Sequence, residues 1–133
     1  LNANHILAKK KRVSLHDLED DPLILLNVLP SRTYFTRILE SSGITPKISF
    51  SSPSLELVRG LVGQGLGYSL LITRPHGDVA YDGEQLAIRP LVEEVEDGVI
   101  AMAALKSLRP TRLISTFEEF CVNFFKRIHP KRT

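Results

Sequence analysis

The sequence predicts an α/β fold with a mostly parallel central sheet flanked by helices. The apolar run from Leu23 to Leu29 is nearly continuous, as expected of a strand buried on both faces. A helix pattern, a short strand pattern at residues 46–50, a second helix pattern and an apolar segment at residues 66–72 follow it. Two successive strand-helix-strand units require right-handed crossovers, and they therefore predict parallel strands.

The second predicted helix lies in the stretch from Ser51 to Leu71, around which the other predicted elements are arranged. Serine at an N-cap accepts hydrogen bonds from free helix amides, and proline at the first helical position loses no needed donor. Ser52 and Pro53 therefore predict the helix start. Either Gly63 or Gly65 is expected to adopt the left-handed conformation that ends a helix. The apolar stripe of this helix consists of Leu57, Val58, Leu61 and Val62.

The first predicted helix repeats this arrangement of strand, serine and helix start. It is expected to open at Pro30, Ser31 and Arg32 and to close at Gly43. At both helix starts two interpretations remain open. The serines act only as caps, or the free amides and the helix dipole hold an anion, with the planar guanidinium of Arg32 as an added group at the first helix.

The remaining elements are predicted from shorter patterns. Ser14 and Asp17 resemble a capping box and predict a helical turn at residues 15–19. Strands are expected at residues 85–91 and 99–105, and a last helix is expected to start at Arg109 and Pro110. The broad apolar face of that helix consists of Leu113, Ile114, Phe117, Phe120, Cys121, Phe124, Phe125 and Ile128.

The composition limits the functional class. The chain of 133 residues suits one ordinary domain, with 43% hydrophobic and 24% charged residues. Its 17 Lys and Arg against 15 Asp and Glu leave a net charge of +2, which alone does not favour a nucleic-acid or membrane surface. The single cysteine, Cys121, cannot form an internal disulfide and fits a reducing, cytoplasmic setting.

Residues that carry catalytic or metal chemistry form no recognisable motif. The glycines from Gly63 to Gly67 spell GxGxG, but they follow a helix and precede a strand, the reverse of a dinucleotide-binding loop. No serine lies in a GxSxG elbow. We therefore predict no catalytic residue, no metal, no cofactor and no enzymatic activity. The four histidines lack metal-ligand spacing: His5, His16, His76 and His129.

Three segments, in this order and at this spacing, resemble the effector-binding domain of LysR-type bacterial transcriptional regulators. They are Asn4–Ala8, which is similar to the HPLA segment of that family, Val13–Leu18 followed by Pro22–Ile24, and Ser52–Leu71. The resemblance runs from about Asn4 to Phe125. It implies a periplasmic-binding-protein-like subdomain of type 2, with a crossover strand and a C-terminal amphipathic helix.

The resemblance also implies a domain organisation. Residues 1–12 would be the remnant of a crossover segment between two subdomains, and residues 13–98 the second effector-binding subdomain. Residues 99–133 would be the return strand and C-terminal helix of the first subdomain. Regulators of this family bind DNA through a winged helix-turn-helix, which we expect to be absent from this chain together with most of the first subdomain.

The expected partners are a small, anionic effector and further copies of the regulatory domain. By resemblance, the effector site uses the helix starts and the turns before them, and Tyr68 lies toward the hinge. The expected effector-binding residues are Ser31, Arg32, Ser51, Ser52, Pro53, Ser54 and Tyr68.

Two other functions remain open at this stage. One is a structural or dimerisation module without a ligand. The other is a small serine-dependent α/β enzyme that uses Ser31 or Ser52, although no base lies at motif spacing. For the last helix, the phenylalanine face predicts self-association or docking in a position that differs from the family.

Overall fold

The computed structural model describes residues 1–72, 75–95, 101–105, 107 and 109–128. It divides the chain into two compact units, Leu1–Asp97 and Gly98–Thr133. The first unit contains, in order, two short 3₁₀ helices (Ile6–Lys9 and His16–Leu18), strand β1 (Leu23–Leu26), helix α1 (Ser31–Ser41), strand β2 (Ile48–Ser52) and helix α2 (Leu55–Gly63). The second unit contains helix α3 (Arg112–Ile128).

Strands β1 and β2 are parallel, as the sequence predicts. Leu25 pairs with Ser51 and Leu26 with Ser52, after an irregularity that follows Leu23. On the other side of β1, Leu23 forms an isolated parallel bridge with Tyr68. The chain therefore returns beside β1 in the parallel sense that the second strand-helix-strand unit requires.

The predicted strands at residues 66–72 and 85–91 are wrong in extent, because both are reduced to isolated bridges. Beside Tyr68, Gly67 lies so close to the Pro22 carbonyl that an added Cβ would collide with it. In the second segment, Leu86 pairs antiparallel with Asn2 and Leu91 pairs parallel with Val13. Because the two partners lie in different parts of the chain and pair in opposite senses, the segment joins no continuous ladder.

The core has two layers, one on each face of β1. Leu23 and Leu25 face α1 and pack in a cluster with Phe35 and Leu39. Ile24 faces the opposite side and packs with Val58 and Val62, which lie on the inward face of α2. β1 is thus buried on both faces, which explains its continuous apolar run.

The helix ends follow the predicted chemistry, with one correction. Gly43 after α1 and Gly65 after α2 have φ values of 72° and 77°, the left-handed conformation expected of a glycine stop. The predicted N-cap Ser52 is wrong, because Ser54 caps α2 by accepting a hydrogen bond from the Leu57 amide at 3.3 Å. Strand β2 continues to Ser52, so the helix cannot start before Pro53.

The predicted capping box near the N-terminus is present in part, because the Asp17 amide donates to the Ser14 carbonyl and not to the Ser14 hydroxyl. The Asp17 carboxylate accepts a hydrogen bond from the Ser14 amide at 3.1 Å, and the Ser14 hydroxyl accepts one from the His16 amide at 3.2 Å. These contacts start the 3₁₀ helix His16–Leu18. Hydrogen bonds from Lys10 and Ser14 lower the pKa of Asp17.

In the second unit, α3 is amphipathic and its apolar side chains are exposed. Phe117 is 58% exposed and Phe120 is 62% exposed. Residues 101–105 are exposed and form no strand, so the predicted strand is wrong for them, whereas Val99 and Ile100 lie outside the described residues. Short alanine side chains there bury little area, which gives a strand little to stabilise it. Among the described residues, no helix is both long enough and apolar enough to cross a membrane.

Candidate functional site

The carboxyl ends of β1 and β2 lie side by side and bring two turns together. Leu26 pairs with Ser52 at the last position of the register. The amide of the next residue, Asn27, donates to the Ser52 carbonyl at 2.8 Å. We call the two turns, residues 27–32 and 51–54, the carboxyl edge. Parallel sheets flanked by helices bind ligands beyond this end of their strands, because the helix N-termini gather there.

The turn before α2 is built by serine hydroxyls. Ser52 is 5% exposed, and its Oγ accepts a hydrogen bond from the Ser54 amide at 3.0 Å. Ser54 in turn caps the helix and is exposed, as are Ser51 and Pro53. Ser52 therefore shapes the turn from inside, and its neighbours present their surfaces to solvent.

The turn before α1 is built differently. Pro30 occupies the N-cap position and makes no side-chain cap, and half-buried Ser31 is the first helical residue. Capping by Ser31, one of the two interpretations of this serine, is therefore wrong. Arg32 is exposed, and its Nη1 donates to Oδ1 of Asn27 at 3.5 Å. The guanidinium thus lies beside the carboxyl end of β1.

A depression of about 380 Å³ includes Arg32. It follows the outer face of α1, and no residue of the turn 51–54 lines it. The two turns therefore adjoin through the Asn27 backbone without sharing this depression. The lining residues are Leu29, Arg32, Thr33, Thr36, Arg37 and Glu40.

Tyr68 lies away from the carboxyl edge. It is 2% exposed and bridges to Leu23, the first residue of β1, whereas Ser52 pairs with Leu26 at the other end of that strand. Burial, with a further contribution from the Asp21 carboxylate, raises the pKa of Tyr68 to about 12. The phenol is therefore neutral at physiological pH and forms part of the core.

Sequence reasoning missed Asn27, which joins the two turns. The available signal was its position as the polar residue inside the apolar run from Leu23 to Leu29. A polar residue at the end of a buried strand lies where the strand reaches the ligand-binding edge.

The described residues offer no support for metal or nucleophilic chemistry at this edge. Within them, no group of three His, Cys, Asp or Glu side chains is arranged to hold a metal ion. Ser52 Oγ contacts a backbone amide rather than a histidine, so the described contacts do not activate it as a nucleophile.

Comparison with known proteins defines the class. The model of the LysR substrate binding domain family matches residues 1–126, and the chain therefore belongs to this family. This confirms the resemblance found in the sequence.

Individual relatives agree with this assignment. The chain is 29% identical over 129 residues to the transcriptional dual regulator GltC of Bacillus subtilis, covering 94% of this chain and 41% of GltC. Its sequence is 45% identical to that of HinK, a LysR family transcriptional regulator from Pseudomonas aeruginosa, and its structure superposes on the HinK crystal structure with a TM-score of 0.91. That match covers 96% of this chain and 44% of HinK, so the chain spans less than half the length of either protein.

A more distant structure shows the same fold. The effector binding domain of QuiR, solved in complex with shikimate, is 23% identical with a TM-score of 0.73. The match covers 96% of this chain and 59% of that one. Together with HinK, this similarity confirms the predicted α/β effector-domain fold of the type 2 periplasmic-binding-protein kind.

Proposed function

We propose that this chain is the effector-sensing part of a bacterial LysR-type, DNA-binding transcription regulator. The family match supports the class. The observation that carries the local proposal is the hydrogen bond from the Asn27 amide to the Ser52 carbonyl, which joins the two helix-start turns at one edge. Effector binding there would shift the population of regulator conformations.

The effector we propose is small and anionic. Both helix N-termini direct their dipoles toward the carboxyl edge, and Arg32 adds a full positive charge with a fork suited to a carboxylate. Ser52 would act from inside by shaping the turn, and Tyr68 would act indirectly, through its bridge to Leu23 at the opposite end of β1. The surface contacts are assigned to Ser31, Arg32, Ser51, Pro53 and Ser54.

The division of roles along the chain is also part of the proposal. We assign residues 1–12 to a crossover segment, residues 13–98 to the second effector-binding subdomain, and residues 99–133 to the return segment and helix of the first. DNA contact is assigned to a winged helix-turn-helix outside these 133 residues, and the regulator to the cytoplasm. We assign the chain no enzymatic activity, since its relatives are described as transcriptional regulators.

Self-association of the regulatory domain is supported by an open sheet edge. In the described part of the chain β2 pairs only with β1, so its other side carries unpaired backbone groups. Ile48 is 51% exposed and Phe50 is 45% exposed on this strand. Exposed apolar edge strands are templates for pairing with another chain. We therefore propose that the β2 edge contributes to contacts between copies.

Thermal unfolding with a panel of small carboxylates tests the sensing function. The panel should contain benzoate, succinate and shikimate, and the protein should be a longer chain extended to the length of its relatives. A true effector at 100 times its dissociation constant stabilises the folded state by about 2.7 kcal/mol, which gives a clear rise in Tm.

Two variants test whether the effector binds at the carboxyl edge. Arg32→Ala is expected to abolish the rise, and Lys11→Ala, which removes an equal charge from an exposed site elsewhere, is expected to retain it. The sensing proposal fails if no carboxylate stabilises the wild-type chain. A rise that survives in Arg32→Ala would place the site elsewhere.

A further inference from the structure

Two segments that are distant in sequence lie side by side and exchange arginine contacts. In the first segment, Arg12 donates from Nη2 to the Leu91 carbonyl at 2.6 Å and to the Val92 carbonyl at 3.1 Å. In the second, Arg89 donates from Nε to the Ala8 carbonyl at 2.9 Å. Each guanidinium is therefore held against the backbone of the other segment, so residues 8–13 and 89–92 present one common surface.

Both arginines keep their full charge at this surface. They are exposed, and the groups that accept their hydrogen bonds are neutral carbonyl oxygens. In the described part of the chain, no carboxylate lies at ion-pair distance from Arg12 or Arg89. Glu93, which follows the second segment, instead accepts hydrogen bonds from Ser14 and Leu15. The contacts thus position two positive charges without neutralising them.

Two lysines add to this charge. Lys9 and Lys11 are exposed, and among the described residues neither has a carboxylate at ion-pair distance. Lys10, between them, is paired with Asp17, with 2.8 Å between Nζ and Oδ2. The chain as a whole carries a net charge of only +2, so this surface concentrates positive charge. We call four residues the cationic patch: Lys9, Lys11, Arg12 and Arg89.

The composition of the patch suits the backbone of a nucleic-acid duplex. Lysine and arginine side chains are the usual donors to phosphate oxygens, and such contacts position a protein on DNA without reading its sequence. Proteins that hold single strands also need aromatic side chains on which the bases stack. Neither residues 1–13 nor residues 86–93 contain an aromatic residue. A double-stranded polyphosphate therefore fits this surface better than a single strand does.

We propose that the cationic patch contacts the phosphate backbone of the duplex DNA to which the regulator is bound, in addition to the winged helix-turn-helix. This inference rests on the proposed assignment to a DNA-binding regulator and is independent of the effector and its site. Four phosphate contacts give weak binding that depends strongly on salt. The logarithm of the affinity should fall against the logarithm of the salt concentration with a slope of about −3.6, which is 0.9 for each contact.

Fluorescence anisotropy with two short duplexes of unrelated sequence tests this contact in the 133-residue chain, at salt concentrations from about 50 to 200 mM. The wild type is expected to bind both duplexes equally, because backbone contacts carry no sequence information. The double variant Lys9→Ala/Lys11→Ala should bind about 10-fold or more weakly at about 50 mM salt. Its slope should be smaller by about 2, one for each lost phosphate contact.

The matched control is Arg112→Ala/Lys126→Ala, which removes the same charge from exposed positions on α3. This variant is expected to keep the affinity and the slope of the wild type. Equal losses in the two double variants would show that only total charge matters, and would overturn the patch. Thermal unfolding of each variant confirms that the chain is folded.

The position of the contact is measured from the backbone amide signals of the ¹⁵N-labelled chain during addition of duplex. Changes are expected at residues 8–13 and 89–92, and changes confined to α3 overturn the inference. Polyglutamate serves as a competing probe, because tighter binding of this polymer than of duplex would identify an acidic protein surface as the partner instead. Absence of duplex binding at about 50 mM salt also overturns the inference. The carboxylate panel described above still decides the sensing function in each of these cases.

Discussion

The carboxylate of Glu93 accepts a hydrogen bond from the hydroxyl of Ser14 at 2.5 Å, across 79 residues of sequence. The same oxygen, Oε1, accepts a second hydrogen bond from the Leu15 amide at 2.9 Å. Close by, the Arg12 guanidinium donates to the carbonyls of Leu91 and Val92. These contacts hold residues 91–93 against residues 12–15, next to the core.

This relationship predicts a pH-dependent contribution to stability. Burial opposes ionisation of Glu93, but the hydrogen bonds from Ser14 and from backbone amides outweigh it, and the pKa lies below its ordinary value of 4.5. A lowered pKa in the folded state means that the stabilisation is present above pH 4.5 and is lost as the pH falls through the folded-state value.

Glu93→Gln is therefore expected to lower the free energy of unfolding by about 1 to 2 kcal/mol at pH 7. The difference from the wild type should shrink below pH 4.5, the ordinary value for this carboxyl. Urea denaturation at pH 7 and at lower pH measures both quantities. A difference that stays constant over this range would show that the carboxylate charge is not what stabilises the contact.

A second prediction concerns Gly67. A Cβ at this position would meet the Pro22 carbonyl, which also accepts the Tyr68 amide at 2.9 Å beside β1. Gly67→Ala must therefore shift the backbone pairing on which the sheet depends, and we expect a loss of about 2 kcal/mol or more. Gly77→Ala is the matched control, since nothing lies within 4 Å of its added Cβ. Equal stability of the two variants in denaturant titrations would contradict the close approach.

The third prediction distinguishes the serines of the turn before α2. Ser54→Ala removes the N-cap and should cost about 1 kcal/mol, and Ser54→Asp should restore most of it because aspartate also caps well. Ser51→Ala is the control, because Ser51 is exposed and does not cap the helix. Urea denaturation ranks the three variants. If Ser51→Ala is as costly as Ser54→Ala, capping is not the cause.

How well the sequence predicts each element of this fold depends on how far apart in sequence the interacting residues lie. Helices α1 and α2 and the glycine stops depend on residues within a few positions, and local patterns predict them. The choice of Ser54 over Ser52 as the cap depends on β2 continuing to Ser52, where it pairs with Leu26. That pairing lies across the sheet, and the spacing of two neighbouring serines does not reveal it.

The candidate site also combines features that local patterns predict with contacts that they do not predict. Its two turns were predicted from strand and helix order, because parallel strands place their carboxyl ends together. The contacts of Asn27 and Tyr68 were not predicted, because each is made with a residue distant in sequence. Asn27 contacts Ser52, and Tyr68 pairs with Leu23 at the opposite end of β1.

The last prediction concerns self-association, for which the chain offers two separate surfaces. On β2, Phe50 is 45% exposed, and on α3 Phe120 is 62% exposed and stacks on Phe124 with ring centroids 6.0 Å apart. Apolar burial contributes about 25 cal/mol for each Å² removed from water, so several covered phenylalanines contribute several kcal/mol. We therefore expect the 133-residue chain to self-associate in a concentration-dependent manner.

Light scattering coupled to size exclusion measures the mass, and two charge substitutions identify the surface. Phe50→Glu should dissociate the assembly if the β2 edge carries the contact, and Phe120→Glu should do so if α3 carries it. Tyr81→Glu, at a residue that is 94% exposed in a turn, is the control for added charge. A wild-type chain that remains monomeric at all concentrations would contradict self-association, because both apolar surfaces would then stay exposed to water without a partner.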